Sequence, residues 1–431
     1  MKKNFIKSST ILIIGGFITK LLGMLIKIVI ARKIGSNGLG LYMLILPTFM
    51  LFINISQFGF PLSLSKLVSE DTRNNKKLYL SILPISLSIN LLLIIFIIIL
   101  SPIISNYFLH NKDTFYSILT ISFVIPFTSI SSICRSYFFG KNKMLPHVIS
   151  NITEDLIRLL IIILTIDKVI HLGLPITVSY LIGINIISEL SSIIILLLFI
   201  PKKINIQKQD FIPNKIYIKD NLRISLPTTS SRLIGSISYF LEPIILTSTL
   251  LKVGYSSSYI IKEYGIISGY VIPLILLPSF FTLAISQALL PILSKEYKIK
   301  NKKNIKKTLT LAIILSLGIA TPATIILVRI PSLLLQTIYH TNEGLNYIRI
   351  LAPICLLKYL ESPLSISLDA FGKSKDNLKI TIISAITRSL SLYLFSLLKI
   401  GINSLIICII INIFLTTSLL IKKVSKIIKN L

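Results

Sequence analysis

Twelve apolar stretches follow one another from end to end of the chain, separated by polar gaps. Each is close to the ~20 residues that a helix needs to cross a bilayer core. The pattern predicts membrane helices near 10–30, 40–64, 79–101, 115–137, 148–167, 176–200, 222–250, 264–292, 308–330, 346–370, 378–399 and 402–421. Segment 201–221, with KKINIQKQDFIPNKIYIKD inside it, is a polar hinge between two sets of six. The expected organisation is an amino-terminal lobe (1–205), a cytoplasmic linker (206–221) and a carboxy-terminal lobe (222–431).

The halves repeat weakly. TKLLG at 19–23 recurs as SRLIG at 231–235, which sets Lys20 opposite Arg232. LSK at 64–66 recurs at 293–295, and FGKNK at 139–143 recurs as FGKSK at 371–375. Each recurrence lies six spans on. Six is even, so both halves enter the membrane with the same orientation, a parallel repeat of the kind built around a central transport site. The expected fold is an all-α polytopic membrane protein of about 12 helices in two six-helix lobes.

Composition agrees. The chain is 53% hydrophobic, has a mean hydropathy of +0.84, and is only 14% charged, against about a quarter in soluble proteins. Its net charge of +29 raises nucleic acid as a partner, but the distribution argues against it. With the amino terminus inside, thirty of the 45 Lys and Arg residues fall in inside segments, nine in outside segments and six within spans. That bias is the positive-inside rule. It places both termini in the cytoplasm, with basic loops against anionic membrane lipids. Cys134, Cys355 and Cys408 lie in or at the ends of spans and imply no disulfide frame. The start MKKNFIK resembles a signal peptide, yet Lys20 and Lys27 interrupt the apolar run and no small-residue cleavage site follows. It reads as a retained first helix.

Candidate chemistry comes from charge in the wrong solvent. Lys20, Lys27, Arg158, Arg232, Lys358 and Arg388 lie within spans, where each costs about 2.5–3.5 kcal/mol unless paired or solvated. Glu154 and Arg158 are spaced i,i+4 and Lys358 and Glu361 i,i+3, so both read as structural pairs. Lys27 lies near a helix end and is able to snorkel. Arg388 has no local acid, and neither do Lys20 and Arg232 near the middle of their spans. Lys20 and Lys27 share one helix face, with Thr19 and Gly23 nearby. Such cations suit a water-filled cavity or an anionic ligand, with pairing to distant acids such as Glu242 or Glu361 as the alternative. Gly15, Gly16, Gly23 and Pro47 are expected to let the first two spans bend. His110, His147, His171 and His340 are scattered, and neither a phosphate loop nor a metal motif is present. No cofactor and no enzyme activity are expected.

Several blocks resemble a known family. GGFITKLLGMLIKIVIARKIGSNGLGLYMLILP (15–47), FPLSLSKLVSE (60–70), RSYFFGKNKMLPHVISNITEDLIRLL (135–160) and YGIISGYVIPLILLPSFFTLAISQALLPILSKEY (264–297) look like stage V sporulation protein B-type polysaccharide transporters. These are similar to lipid II flippases of the MurJ type, within the multidrug, oligosaccharidyl-lipid and polysaccharide exporter superfamily. The resemblance implies a V-shaped pair of lobes and a cationic cavity. It also implies undecaprenyl-diphosphate-linked saccharides as substrate, cell-wall synthesis proteins as partners, and a role in spore cortex peptidoglycan. It maps the family's basic positions on the first helix onto Lys20 and Lys27. The substrate-binding set is then Lys20, Lys27 and Arg232, with Lys358 and Arg388 secondary. Spans 40–64 and 264–292 lack the arginines that MurJ-type members carry, and the expected fold of twelve spans does not include the two extra carboxy-terminal helices of those members. The remaining alternatives are a cation-coupled multidrug exporter of the same superfamily, a non-transporting scaffold for polysaccharide synthesis, and a membrane ligase. Short outer loops argue against the ligase.

Overall fold

The computed structural model describes residues 2–70, 75–200, 210 and 212–431. Arg73, Lys202, Lys203, Lys208 and the linker positions 206–209 and 211 lie outside the described residues. Among the described residues there is no strand. The α-helices are α1 Lys2–Gln57, α2 Phe60–Glu70, α3 Asn75–Ile103, α4 Phe115–Gly140, α5 Met144–Val169, α6 Leu174–Leu198 and α7 Lys215–Lys252. They continue with α8 Ser257–Gly265, α9 Ile272–Ile275, α10 Ser279–Lys298, α11 Lys302–Arg329, α12 Pro331–Tyr339, α13 Leu345–Ala370, α14 Ser374–Ser396 and α15 Asn403–Lys429.

By length and hydropathy, nine helical runs among the described residues are able to cross a membrane, or ten with one bent pair counted as a span. The difference from twelve has two causes. Residues 10–30 and 40–64 fall in one run, Thr10–Glu70. And α5, 26 residues long, carries three charged residues, Glu154, Asp155 and Arg158, near its middle, more than an apolar crossing of that length admits. Each of the twelve sequence stretches is mostly helical in the structure, with breaks inside 40–64 and 264–292.

The bends fall at other residues than those expected. Gly15, Gly16 and Gly23 are helical, and Pro47 sits within α1; the one non-helical residue inside α1 is Gly35, at φ 64° and ψ −175°. Positive φ is free to glycine and strained for residues with a β-carbon. Gly15 packs instead: a β-carbon there would lie 2.2 Å from a methyl of Val148 on α5, whereas Gly23 has open space around it. A second break follows at Phe58 (φ 45°) and Gly59 (φ 65°), separating α1 from α2.

The chain divides into two compact units, Met1–Phe240 and Leu241–Leu431. The division falls inside α7 rather than at 222. In the first unit, α4 packs on α1, α2, α3 and α6, and α5 packs on α1 and α6. The α4 surface explains its central place. Ser122, Ser129, Ser131, Ser132 and Ser136 are all buried, and small side chains let neighbouring helices come close. Ser86 and Ser129 share a 2.9 Å hydrogen bond between α3 and α4.

In the second unit, α13 holds the equivalent centre, packing on α10, α11, α14 and α15. The expected span 264–292 is broken. It runs through α8, a π-helical turn Ile266–Val271 and α9, then bends by 52° into α10. Pro273 and Pro278 lack the N–H groups a continuous helix needs. At the bend, the Ser279 N–H turns to the Leu276 carbonyl at 3.0 Å, so the Ile275 carbonyl loses its helical donor. The buried Tyr359 hydroxyl of α13 donates to it instead. A carbonyl in an apolar interior needs such a partner.

The sequence repeat has a structural counterpart with a different register. After α4, Lys143 N–H donates to the Phe138 carbonyl at 2.9 Å; after α13, Lys373 N–H donates to the Leu368 carbonyl at 2.9 Å. The left-handed residues closing these turns are Asn142 (φ 55°) and Gly372 (φ 69°). The equivalence therefore pairs KNK at 141–143 with FGK at 371–373, two residues away from the FGKNK and FGKSK match.

Candidate functional site

The six intramembrane cations separate into two classes. Arg158, Lys358 and Arg388 each meet an acid; Lys20, Lys27 and Arg232 have no ion-pair partner among the described residues.

In the second unit, Lys358 Nζ lies 2.6 Å from Glu361 Oε2 on its own helix. Arg388 on α14 forms an ion pair with Glu242 on α7, whose side chain is 4% exposed. The Tyr264 hydroxyl donates to Glu242 Oε1 at 3.4 Å. Lys358, Arg388, Cys355 and Asn412 line a pocket of 100 Å³. The two basic groups and two acids in this region balance.

The first unit holds a larger network. Glu154 on α5 sits between two arginines: Arg158 at 2.5 Å one turn along the helix, and Arg135 on α4. Arg135 Nη2 also reaches Glu189 on α6 at 3.2 Å and donates to Ser192 Oγ at 2.7 Å. Ser131, one turn before Arg135, donates to Glu189. Asp155 lies 3.6 Å from Arg158. The network joins three helices and contains three carboxylates and two guanidiniums. The charge tally places Arg135 among cytoplasmic loop cations; it is instead in α4 with a side chain only 17% exposed. Buried arginines need this pairing, since breaking it strands a charge in low dielectric. Glu189 supplied the one clue: an acid inside a span calls for a named partner.

Lys20 and Lys27 are exposed on α1, and Arg232 is exposed on α7. The carboxy-terminal part of α1, α2 and the first half of α7 are stitched together. Ser63 Oγ donates to Asn221 Oδ1 at 2.8 Å. Gly59 leaves room for the α7 backbone: a β-carbon there would lie 2.7 Å from the Ser225 carbonyl and 2.6 Å from Thr229 Oγ1. Asn54 Nδ2 donates to Ser236 Oγ at 2.6 Å, and that hydroxyl donates to the Arg232 carbonyl at 3.1 Å. Arg232 is thereby held beside a pocket of 320 Å³ that Arg135, His147, Gln57, Asn151 and Ser65 also line.

Comparison with known proteins follows the same lines. The model of the polysaccharide biosynthesis protein family matches residues 5–297, and that of the MatE family matches residues 236–394. Stage V sporulation protein B of Bacillus subtilis (strain 168) is 31% identical over 438 residues, covering 99% of this chain and 85% of the relative. Lipid II flippase MurJ of the same organism is 22% identical over 219 residues, covering 47% of this chain and 40% of the relative. Among solved structures, an inward-facing multidrug resistance MATE family transporter of the MOP superfamily has a TM-score of 0.74 at 16% identity, covering 96% of this chain and 95% of that one. At that identity the likeness speaks for the fold. The chain is a multi-pass, all-α membrane protein of MOP-superfamily fold, and it belongs to the polysaccharide biosynthesis protein family.

Proposed function

We propose that the chain is a flippase that moves undecaprenyl-diphosphate-linked cell-wall saccharides across the plasma membrane by alternating access. Both termini face the cytoplasm, and the substrate serves spore cortex peptidoglycan. Lys20, Arg232 and Lys27 receive the diphosphate. One observation carries this reading: these are the intramembrane cations without an acid partner among the described residues. Unpaired cations at membrane depth are expensive and mark ligand paths. Lys358 and Arg388, already neutralised by Glu361 and Glu242, become structural. The names of the relatives support the substrate class, one being a sporulation protein and another a lipid II flippase.

The drug-exporter reading draws on the MATE-like fold. It needs a free carboxylate for an organic cation. Glu154, Glu189, Glu242 and Glu361 are each paired with a basic side chain, and Asp369, one residue from the end of α13, is exposed and bonded to the Asn377 amide, which favours the flippase.

The test is flipping itself. Wild type and a Lys20→Ala/Arg232→Ala double variant are expressed in cells depleted of their own lipid II flippase. Lipid II accessible at the outer face is measured, with membrane insertion checked in parallel. Rescue by wild type and not by the inserted variant is the expected result. Equal rescue by both discards the cation site, and no rescue by inserted wild type discards lipid II as the cargo.

A further inference from the structure

The end of the second unit at which α10 stops, α11 begins and α15 stops is a small cap with a core of its own. Ile305 of α11, Phe371 just after α13, and Val424 and Ile428 of α15 belong to one buried cluster. The Tyr297 ring stacks on Phe371 at 4.8 Å, and Lys302 Nζ donates to the Lys429 carbonyl at 2.8 Å. Three stretches far apart in the chain, 295–307, 369–379 and 422–431, are thereby fixed on one end of the unit. They hold fourteen lysines, no arginine and three acids. Each acid is engaged within the cap: Asp376 with Lys423 at 3.0 Å, Glu296 with the Asn304 amide at 3.2 Å, and Asp369 with the Asn377 amide. The lysines other than Lys423 have no ion-pair partner among the described residues.

Orienting the chain in the membrane does not account for this excess. The corresponding connection of the first unit, 66–78, follows the same LSK landmark and holds four basic residues against two acids; 295–307, of equal length, holds seven against one. Lys303 and Lys307, like Lys422 and Lys426, stand four residues apart on their helices, a spacing at which like charges repel. The buried cluster beneath holds them in place against that repulsion.

The cap also reaches past the lipid. The apolar run of α15 closes at Ile421, and Lys429 lies eight residues further on, about 12 Å along a helix. A headgroup layer is only about 5–8 Å deep on each side of the bilayer core. At the tip of the α10–α11 turn, Ile299 is 62% exposed. The turn is held by Lys300 in the left-handed region (φ 55°) and by the Asn301 N–H donating to the Glu296 carbonyl at 3.0 Å. An isoleucine held out among lysines beyond the headgroups is an apolar contact in a charged frame.

We propose that this cap docks a cytoplasmic protein through an acidic segment that carries an apolar side chain. The carboxylates meet the free lysines of α11 and α15, and the apolar side chain covers Ile299. The positive-inside pattern puts this end of the unit in the cytoplasm. The choice of partner follows from the cations. Arginine forks suit phosphates, and the cap has none, whereas compact ammonium groups on flexible stems suit mobile carboxylates. Complementary charge of this kind speeds encounter and selects the partner. The surface is independent of the flippase reading, since none of these lysines belongs to the proposed cation site.

The experiment is fluorescence anisotropy of a labelled peptide, four repeats of Glu-Glu-Leu-Asp, titrated with the purified full chain in phosphatidylcholine nanodiscs. Three variants are compared with wild type, with thermal unfolding as the check on folding. Lys303→Gln/Lys307→Gln/Lys426→Gln removes three exposed charges from the cap, and Ile299→Ser removes its apolar tip and no charge. Lys215→Gln/Lys219→Gln/Arg223→Gln removes three exposed charges from the first unit and serves as the control. Wild type is expected to bind, the cap triple variant to bind at least tenfold more weakly, Ile299→Ser at least threefold more weakly, and the control within twofold of wild type. Binding that persists in nanodiscs containing phosphatidylglycerol supports a protein partner; binding abolished there makes anionic lipid the occupant and overturns the proposal. Equal weakening by the control shows bulk charge alone and overturns it. So does wild-type affinity in the folded cap variants, or failure of folded wild type to bind the peptide.

Discussion

Replacing Arg135 with glutamine should destabilise the first unit far more than replacing Glu189 with glutamine, although the two side chains touch. The reason is charge bookkeeping in a buried network. The wild-type cluster holds Glu154, Asp155 and Glu189 against Arg135 and Arg158. Removing Arg135 leaves three acids facing one cation. Removing Glu189 leaves two facing two. The Arg135, Glu154 and Glu189 side chains are 17%, 10% and 9% exposed, so solvent screens them little. At 3.2 Å and an effective dielectric of about 20, one such contact has a Coulomb energy of about 5 kcal/mol, before desolvation is counted. Stranding a buried partner costs about 3–5 kcal/mol in measured cases. The Glu189 change loses a charge-assisted bond from Ser131, worth about 1.5–3 kcal/mol, and gains relief of the excess negative charge. Buried Cys134, Cys355 and Cys408 are free thiols, so a thiol-reactive dye reports unfolding of the detergent-solubilised protein. Arg135→Gln should lower the midpoint by roughly ten degrees or more, at about 2–4 °C per kcal/mol for a unit of this size, and Glu189→Gln by a few degrees. A Glu189→Gln loss equal to or larger than that of Arg135→Gln would refute the charge argument.

Three further outcomes follow from the packing. Gly15→Leu should prevent normal folding, because of the 2.2 Å approach to Val148, and combining it with Val148→Ala should recover part of the yield on size-exclusion chromatography; Gly23→Leu, with open space, should leave the yield unchanged. Tyr359→Phe orphans the Ile275 carbonyl and should cost about 1–3 kcal/mol, read as a lower midpoint in the same thiol assay. Glu242→Gln leaves Arg388 as a half-buried cation with its buried partner neutralised and should be destabilising, while Glu242→Leu combined with Arg388→Met should recover most of the loss; a double variant no more stable than the single would show that the pair is not what matters there.

The helices were legible because a membrane span announces itself within its own ~20 residues. Contacts inside one helix were legible for the same reason: Glu154 and Arg158 follow from i,i+4 spacing. What joins separate helices was not. Arg388 and Glu242 are far apart in the chain, and no local pattern relates them. Arg135 lies beside the end of the span 115–137, where loop and helix assignments are least secure; the serines that bury it look like ordinary small residues. The bend of α1 was assigned to the wrong glycines, since composition does not tell a glycine needed for close packing, Gly15, from one needed for positive φ, Gly35. The repeat register slipped for a related reason. The turn after each central helix requires a residue tolerant of left-handed backbone, and asparagine serves at 142 where glycine serves at 372, so identical letters were a poorer guide than equivalent conformations.

The sorting of the cations bears on how membrane voltage acts on the carrier. The pairs Lys358–Glu361 and Arg388–Glu242 carry no net formal charge. The Arg135 cluster carries one negative charge, and Lys20, Lys27 and Arg232 carry three positive. On the proposed reading, these groups of the empty carrier sum to two positive charges, and a bound dianionic diphosphate brings them to zero. An interior-negative potential would therefore leave the loaded carrier nearly untouched while drawing the empty one back toward the cytoplasmic side, by up to about 2.3 kcal/mol per charge per 100 mV. Voltage would then power the return stroke rather than the delivery, and Lys20→Ala should make turnover in proteoliposomes less sensitive to an imposed potential.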